Sequence, residues 1–443
     1  MSTKVTYTEI HKLSAFRIFK KFALNILTET ISNFFSCSVK VITLPEKVFL
    51  DDYGIDIHKN IKRGFYPIDD NNVLILGRMF KEHQLISAIG FHISDIDVRK
   101  QTRILNIFEN ILSHYFSKEL PRFFQNSSLL FGDEIIKETI TEYISKGAYD
   151  SRQVRHLIEY FFKLRTTSFE GEYFSTGAIF TKSQDIVKGE RFGIVKELTT
   201  PFFISDTDKI NKRVWYLVDG KTSFFLGNKN LCFNNIFILD EEYSKGNFLD
   251  THSLALTLKG GDFLIKVENE KLLSICSSDG SEFIFFENQW RYRNYSVLKD
   301  ILTANITADE KVINSILFYI LSCSKKQHST ILWFPDDINK IDELINTKTK
   351  NSFLKVGLNI TDKQAINHIF RCITSDGSSI IDKEGNLLFI GVIVNIEKAK
   401  VSGITGTGES AASVLSANGI SIKISSDGLI KIFTPNATKP YYF

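Results

Sequence analysis

Over residues 301–443, short apolar runs alternate with stretches in which apolar residues have helical spacing. Of the features in this sequence, this alternation restricts the possible folds most strongly. The run 329–334 is almost continuously apolar, as in a strand buried on both faces. On either side, at 312–321 and 338–345, apolar residues recur three and four positions apart, which is the spacing of one helix face. Strands that alternate with helices in this way predict a mixed sheet covered by helices.

Two polar motifs interrupt this C-terminal pattern. Asp376 opens an Asp-Gly-Ser loop before two strands joined by a tight turn, and the glycine-rich loop 403–410 leads into a helix near Ala411. A second hairpin turns at Asp427. Backbone N–H groups at a helix start favour phosphate, and a carboxylate beside them favours a hard divalent cation. The motifs indicate a pocket for a metal-bound triphosphate, but each of them is also typical of an ordinary turn.

The rest of the chain divides by its hydrophobic pattern. Residues 1–165 have mainly helical spacing, with apolar runs at 39–44 and 72–76 that favour strands. Residues 166–300 carry short β-prone runs broken by Gly, Asn and Asp. Because 443 residues suffice for two or three domains, we expect an α/β (α+β) protein with a helix-rich domain over residues 1–165, a β-rich domain over residues 166–300 and a nucleotide-binding domain over residues 301–443. The predicted helices are 9–35, 104–116, 135–145 and 153–164, and the predicted middle strands are 177–181, 213–218, 222–226, 236–239, 263–267 and 282–287.

An internal echo links the middle and C-terminal regions. Asp219 opens an Asp-Gly turn that is followed by a strand, a polar turn and a second strand near Leu231, and Asp376 opens the same series, which ends near Leu387. Such patterns also recur by chance, so the echo leaves open whether the middle region is a degenerate copy of the last one.

Composition and charge argue against several classes of protein. The 54 basic and 51 acidic residues leave a formal net charge of +3 without a basic stripe, so there is no strong nucleic-acid signal. The five cysteines are widely spaced, which argues against a disulfide framework or a zinc site. No apolar stretch is long enough to span a bilayer, and the first residues lack the pattern of a signal peptide. We expect a cytoplasmic protein with no membrane partner.

In its order of elements and motifs, the region 301–443 resembles the diadenylate cyclase domain family, especially members in which this domain follows a large sensor region. The resemblance rests on an apolar strand, an Asp-Gly turn, a hairpin, a Gly-Thr loop and a closing Ser-acidic-Gly hairpin. In that family an Asp-Gly-Ala motif supplies an aspartate that binds the divalent metal near the attacking ribose hydroxyl. The resemblance implies this catalytic role for Asp376, Gly377 and Ser378, with serine in the place of alanine.

The chain departs from the family's second motif, Gly-Thr-Arg-His-Arg-Ala-Ala, whose basic residues hold the triphosphate. The corresponding nucleotide-binding residues are Gly406, Thr407, Gly408, Glu409 and Ser410. Charged hydrogen bonds contribute roughly 1.5–3 kcal/mol each, so their loss should weaken binding or catalysis. Glu409 has two interpretations: an acid that complements the helix dipole, or a metal ligand that joins Asp376 and Asp427 and replaces the missing positive charge.

The resemblance implies two functions. The first is a nucleotidyltransferase that uses Mg²⁺ or Mn²⁺ to join nucleoside triphosphates, most simply two ATP into cyclic di-AMP, with facing domains and therefore a homo-oligomer. The second is a sensor that binds a nucleotide or cyclic dinucleotide without turnover. A scaffold with a vestigial pocket is a third interpretation. We favour the first, because Asp376, the glycine-rich loop and the closing hairpin all persist in order.

Overall fold

The computed structural model describes residues 27–43, 64–81, 84–118, 129–145, 148–169, 171–173, 175–182, 193–204, 212–240, 254–255, 258–269, 272–350, 357–398, 406–435 and 440–443. The segment of the predicted helix 9–35 before residue 27, and residues 403–405 of the glycine-rich loop, lie outside these ranges. The described chain is a mixed α+β protein with helices packed on sheets, which confirms the predicted fold class. None of its described helices is both long and apolar enough to cross a membrane.

The N-terminal region combines amphipathic helices with a four-stranded antiparallel sheet. Its elements are α1 (Thr28–Phe35), β1 (Ser38–Thr43), β2 (Phe65–Pro67), β3 (Asn72–Lys81), β4 (Gln84–Ser94), α2 (Val98–Lys118), α3 (Leu129–Ser145) and α4 (Ser151–Arg165). The strand order is β1-β4-β3-β2. The helical spacing located α2, α3 and α4 correctly, but β4 was not predicted, so this region contains more sheet than the sequence indicated.

The middle region is built on an eight-stranded sheet. Its elements are β5 (Ser168–Phe169), β6 (Glu172–Tyr173), β7 (Thr176–Phe180), β8 (Gly193–Phe203), a 3-10 helix (Lys212–Leu217), β9 (Ser223–Gly227), β10 (Cys232–Leu239), β11 (Phe263–Asn269), β12 (Leu272–Ser277), β13 (Ser281–Phe286) and β14 (Gln289–Asn294). The order is β14-β13-β12-β11-β7-β9-β10-β8, in which β7 and β9 are parallel and the other neighbours are antiparallel. The β-rich character expected for this region is confirmed.

One predicted strand of the middle region is wrong. Residues 213–218 lie mostly in the 3-10 helix Lys212–Leu217 rather than in a strand. Trp215 is buried within this helix, and Val218, directly after its end, is also buried three positions further on, a spacing equal to one turn of a 3-10 helix. The β-prone side chains of this segment concealed that spacing.

The C-terminal region is a six-stranded mixed sheet with helices. Its elements are α5 (Tyr295–Asn305), α6 (Glu310–Lys325), β15 (Thr330–Phe334), a 3-10 turn (Ile338–Lys340), α7 (Ile341–Leu344), a second 3-10 turn (Thr347–Thr349), α8 (Ile366–Ile373), β16 (Ser378–Ile381), β17 (Leu387–Val392), a third 3-10 turn (Ile396–Lys398), α9 (Thr407–Leu415), a fourth 3-10 turn (Ser416–Asn418), β18 (Ile420–Ile424), β19 (Ile430–Phe433) and β20 (Tyr441–Tyr442). The order is β17-β16-β15-β18-β19-β20, with β15 and β16 parallel and the other pairs antiparallel.

Both faces of this C-terminal sheet are covered. On one face Leu332 of β15 packs in a core that includes residues of α5, α6 and α8. On the other face Ile331 and Trp333 pack in a core with Ala412 and Leu415 of α9. Successive residues of β15 point to opposite faces, so the continuously apolar run is explained by burial on both sides.

The hydrophobic cores divide the chain differently from the sequence pattern. Phe34 and Phe161 belong to one continuous core with Phe283 of β13, and the rings of Phe34 and Phe283 are stacked 6.3 Å apart. Tyr295 and Leu298 of α5 instead belong to the C-terminal core. Within the described residues, the N-terminal and middle regions therefore share one core, and the change of core falls near residue 295.

Six strands of the middle sheet match the C-terminal sheet in order and direction. The set β13-β12-β11-β7-β9-β10 corresponds to β20-β19-β18-β15-β16-β17. In each set the first strand along the chain is parallel to the second, and the strand that returns on its other side is antiparallel. The sequence echo between the Asp219 and Asp376 turns therefore has a counterpart in the strand connections.

Candidate functional site

Asp376, Gly377 and Ser378 lie where the chain enters β16, at one end of the C-terminal sheet. Ser378 is opposite Ile331 of β15, and Ile331 is opposite Lys423 of β18. Residues that lie opposite each other point to the same face of a sheet, and Ile331 belongs to the core that α9 covers. Ser378 and Lys423 therefore face the side on which α9 lies.

Gly377 holds this turn in a conformation that other residues rarely adopt. Its φ is +95°, and a Cβ at this position would lie 2.6 Å from the carbonyl carbon of Gly391 on β17. Only glycine allows this backbone conformation and this contact together. The close approach of the two glycines holds Asp376 at the exposed end of the sheet.

The carboxylates of Asp376 and Asp219 are engaged differently, although each opens an Asp-Gly turn. Asp219 accepts backbone N–H groups from Lys221, Thr222 and Ser223 at 2.8–2.9 Å. Burial alone would raise the pKa of Asp219, but these hydrogen bonds lower it below its ordinary value. Asp376 accepts a single hydrogen bond within the described structure, from the N–H of the next residue at 3.0 Å. The backbone N–H groups of its own turn occupy the acceptor sites of the Asp219 carboxylate, whereas the Asp376 carboxylate keeps lone pairs that can bind another partner.

The helix α9 begins at the same end of the sheet. Gly406 is its N-cap in an extended conformation, and its carbonyl accepts the N–H of Ser410 at 3.0 Å and the Ser410 hydroxyl at 3.1 Å. By helix geometry, the N–H groups of Thr407, Gly408 and Glu409 have no acceptor within the helix. The start of α9 therefore offers backbone donors, as the glycine-rich loop predicted.

Two lysines that the sequence motifs did not single out lie beside the start of α9. Lys423 of β18 and Lys431 of β19 are directly opposite each other, so their side chains share a face of the sheet. The Lys423 Nζ donates to the Ser329 hydroxyl at 2.6 Å. The Lys431 Nζ pairs with the carboxylate of Glu409 and lies 5.4 Å from the centre of the Tyr442 ring.

Lys423 brings positive charge to the start of α9, where the loop residues 406–410 include no lysine or arginine. A Cβ at Gly408 would lie 2.9 Å from the Lys423 Cε, so the lysine passes over the first turn of α9 where a larger residue would displace it. Burial lowers the pKa of Lys423, while Glu409 and Asp427 oppose this shift and Lys431 adds to it. The charge thus reaches the helix start from the neighbouring strands and not from the loop.

Asp376, Glu409 and Asp427 do not form the metal site that the sequence suggested. Among the described residues, no three or more His, Cys, Asp or Glu side chains are grouped so that they could hold a metal. The Glu409 carboxylate is paired with Lys431 instead. Asp427 is exposed in the β18–β19 turn, where it accepts the N–H of Leu429 at 3.0 Å. Among the described residues the three carboxylates are therefore not grouped around one point, and Glu409 has Lys431 as its partner.

A divalent cation fits this end of the sheet through Asp376 alone. Protein-bound Mg²⁺ commonly has one or two carboxylate ligands and completes its shell with water and substrate phosphates. Asp376 is exposed and has one hydrogen-bond donor in the described structure. The residues present therefore fit a cation that arrives with a triphosphate, and not one held by the protein alone.

A separate cavity of about 920 Å³ lies in the middle sheet, where its lining includes Lys182, Glu197 and Asn228. The Asn228 side chain already accepts the N–H groups of Asn230 at 2.9 Å and Cys232 at 3.2 Å. The Asn228 side chain therefore stabilises the β9–β10 turn. The cavity is not part of the C-terminal site.

Comparisons with known proteins leave the family open. No family model matches the chain, and no curated protein matches it. A solved structure described as a hypothetical membrane spanning protein from Bacillus cereus is 17% identical, with 29% of this chain and 61% of that chain covered and a TM-score of 0.24. DacA from Staphylococcus aureus is 17% identical, with 30% of this chain and 87% of that chain covered and a TM-score of 0.23. These scores are too low to establish a shared fold.

Proposed function

We propose that the C-terminal region binds a nucleoside triphosphate, most simply ATP, together with Mg²⁺ or Mn²⁺ at the end of the sheet between Asp376 and the start of α9. The observation that carries the proposal is the pair Lys423 and Lys431, which lies beside the helix start where the loop 406–410 lacks basic residues. Lysine ammonium groups and helix-start N–H groups are both common phosphate ligands. Asp376 supplies a carboxylate for the accompanying cation.

The charge balance of the site supports phosphate as the ligand. Lys423 forms no salt bridge within 4 Å in the described structure and bonds only the Ser329 hydroxyl, at 2.6 Å. A charged hydrogen bond contributes about 1.5–3 kcal/mol, so Lys423 alone would strengthen phosphate binding by roughly 10- to 100-fold. Lys431 adds a second charge where phosphate displaces the Glu409 carboxylate.

The proposed reaction is nucleotidyl transfer, and it derives from the resemblance to diadenylate cyclases. The 3′ hydroxyl of one nucleotide attacks the α-phosphorus of another and a new P–O bond forms, while the hydroxyl proton passes to solvent. The bond between the α-phosphorus and the oxygen that bridges to the β-phosphate breaks, and pyrophosphate leaves with that electron pair. Two such steps between facing sites give a cyclic dinucleotide such as cyclic di-AMP and two pyrophosphates. This geometry implies a homo-oligomer.

Mass spectrometry tests the transfer reaction. Full-length protein incubated with ATP and Mg²⁺ or Mn²⁺ should yield linear or cyclic dinucleotide together with pyrophosphate, and Asp376→Asn should abolish both products. Glu397→Gln, at an exposed carboxylate on the third 3-10 turn, is the matched control and should retain them. Product from Asp376→Asn at the wild-type rate, or no product with any nucleoside triphosphate, would rule out the transferase.

A second candidate function is a nucleotide sensor without turnover, and the Glu409–Lys431 ion pair favours it. This pair occupies one of the two lysines beside the helix start, which reduces the charge available to stabilise a transition state. A sensor should bind ATP or a cyclic dinucleotide in a calorimetric titration and release it unchanged. Consumption of ATP during the titration would contradict this second function.

A further inference from the structure

Lys266 in the middle sheet occupies the position that Lys423 occupies in the C-terminal sheet. Each lies on the strand that returns antiparallel to the first strand of its six-strand set. Each is also opposite the second residue of that first strand, Gly177 for Lys266 and Ile331 for Lys423. The shared topology thus places two lysines at equivalent points of the two sheets.

Ion pairs fill the position around Lys266 in the middle sheet, and we call it the closed position. Lys266 is 5% exposed, and its Nζ lies 2.7 Å from the Glu268 carboxylate. Lys325, at the C-terminal end of α6, places its Nζ 3.4 Å from Glu282 and 4.0 Å from Glu268. Among the described residues at this position, two lysines and two glutamates balance each other, so this group of four offers a phosphate no net positive charge.

Glu282 is the centre of this closed position. It is fully buried on β13 and accepts hydrogen bonds from the hydroxyls of Ser274, at 2.5 Å, and of Tyr295. Ser274 is the residue opposite Lys266 on β12, the place that Lys431 has opposite Lys423. The C-terminal region contributes Tyr295 from α5 as well as Lys325 from α6, so the position is filled from outside the middle sheet.

Two arginines extend the contact along the same face of the middle sheet. Arg293 of β14 donates through Nη2 to the Ser324 hydroxyl at 2.6 Å and to the Gly428 carbonyl at 2.9 Å. Arg291 donates through Nη1 to the carbonyl of Asp427 at 2.6 Å. These partners belong to the end of α6 and to the β18–β19 turn, so the middle sheet holds the hairpin that carries Lys423 and Lys431.

We propose that the middle sheet is a second copy of the C-terminal domain, and that its ligand position has become the docking surface for that domain. The docking surface consists of Lys266, Glu268, Glu282, Arg291 and Arg293. Each chain then has one open phosphate site, at Lys423. That count rests on the proposed function, whereas the docking role of the closed position does not.

Hydrogen–deuterium exchange of the full-length protein tests the docking surface. Lys325→Met leaves Glu282 buried with one cation fewer, which is strongly destabilising for a buried carboxylate. Exchange should become about 10-fold faster or more in β13 as well as in α6, and Lys325→Met with Glu282→Gln should recover part of the protection in both. The matched control Lys311→Met, at an exposed position on the same helix, should leave both unchanged. Faster exchange in α6 alone, with β13 unaffected, would overturn the docking role.

A calorimetric titration with ATP and Mg²⁺ tests the site count. One ATP bound per chain, with an affinity lowered at least about 10-fold by Lys423→Met and retained when Lys266→Met is combined with Glu268→Gln so that both charges of that ion pair are removed, supports one open and one closed copy. Two ATP per chain would overturn the closed copy. If no ATP binds, the proposed function fails, and the exchange experiment alone decides the docking role.

Discussion

Lys423 and Lys431 lie directly opposite each other on β18 and β19, so two like charges share one face of the C-terminal sheet. The Glu409 carboxylate balances Lys431, whereas Lys423 bonds only the Ser329 hydroxyl in the described structure. Like charges placed opposite each other in an antiparallel pair destabilise it. Burial and Lys431 disfavour the charge on Lys423, and Glu409 and Asp427 only partly offset this, so a bound phosphate would add a favourable partner for this lysine.

Replacing Lys423 should raise the stability of the protein and lower its affinity for ATP. Lys423→Met removes one of the two facing charges, so we expect the free energy of unfolding to rise by about 0.2–1 kcal/mol. The affinity for ATP should fall roughly 10- to 100-fold, as for the loss of one charged hydrogen bond. Thermal unfolding and calorimetry measure the two effects, with Lys311→Met as the exposed control. A less stable variant with unchanged affinity would contradict this assignment.

The stability gain from Lys423→Met should depend on pH. Burial holds the pKa of Lys423 below its ordinary value, so between the folded and unfolded pKa values the unfolded chain binds more protons at this residue. Wild-type stability then rises with pH through that window. The advantage of the methionine variant should be complete below the folded pKa and should shrink as pH approaches the ordinary value of about 10.4. An advantage that grows with pH would contradict the direction of the shift.

Replacing Glu409 distinguishes two roles for this acid at the start of α9, an ion-pair partner of Lys431 and a metal ligand. If its main partner is Lys431, as the ion pair indicates, Glu409→Gln frees that lysine and should tighten ATP binding about 3- to 10-fold. If Glu409 were a metal ligand, the same change would weaken Mg²⁺-dependent binding. Fluorescence titration with an ATP analogue, with and without Mg²⁺, measures the sign, and Glu397→Gln is the control.

Asp376→Asn should leave stability unchanged and remove the cation dependence of ATP binding. The carboxylate is exposed and receives one hydrogen bond, which asparagine can also accept, so the free energy of unfolding should stay within about 0.5 kcal/mol of wild type. Urea unfolding and titrations at several Mg²⁺ concentrations provide the measurements. A destabilisation above about 1 kcal/mol would mean that Asp376 serves its turn and not a ligand.

Asp219→Asn should give the opposite result. Asparagine keeps one acceptor oxygen but loses the charge that accepts three backbone N–H groups, so we expect a loss of about 1–2 kcal/mol at pH 7. Despite burial, these bonds lower the pKa of Asp219, so its stabilising effect is complete above the unfolded value and disappears as pH falls through the folded one. The difference between wild type and variant should therefore shrink in acid. A constant difference down to about pH 2 would contradict the lowered pKa.

The sequence predicted the features of the fold that depend on local pattern. The alternation around 329–334 identified β15 as a strand buried on both faces, and the tight turns located the hairpins. It could not show that Trp215 faces a core at helical spacing, because the β-prone residues around it concealed the repeat. It also could not show that the N-terminal and middle regions share one core, since this depends on contacts such as that between Phe34 and Phe283.

The sequence motifs located the backbone elements of the candidate site but did not identify its two lysines, Lys423 and Lys431. The Asp376 turn and the start of α9 follow from short motifs that the sequence displays. Lys423 and Lys431 lie opposite each other because of the strand register. The sequence did contain a signal for this pairing, since the two lysines are equally distant from Asp427 in the turn and such residues face each other in a hairpin. The partner of Glu409 depended on that register, so the sequence left open both a helix-dipole role and a metal-ligand role for this residue.

A calorimetric titration of ATP with Mg²⁺ into wild-type protein and into Lys423→Met tests the phosphate site most directly. We expect measurable binding by the wild type and an affinity at least about 10-fold lower for the variant, with the variant at least as stable in thermal unfolding. Equal affinities for the two proteins, or no binding by the wild type, would contradict the assignment of this sheet end as a phosphate site.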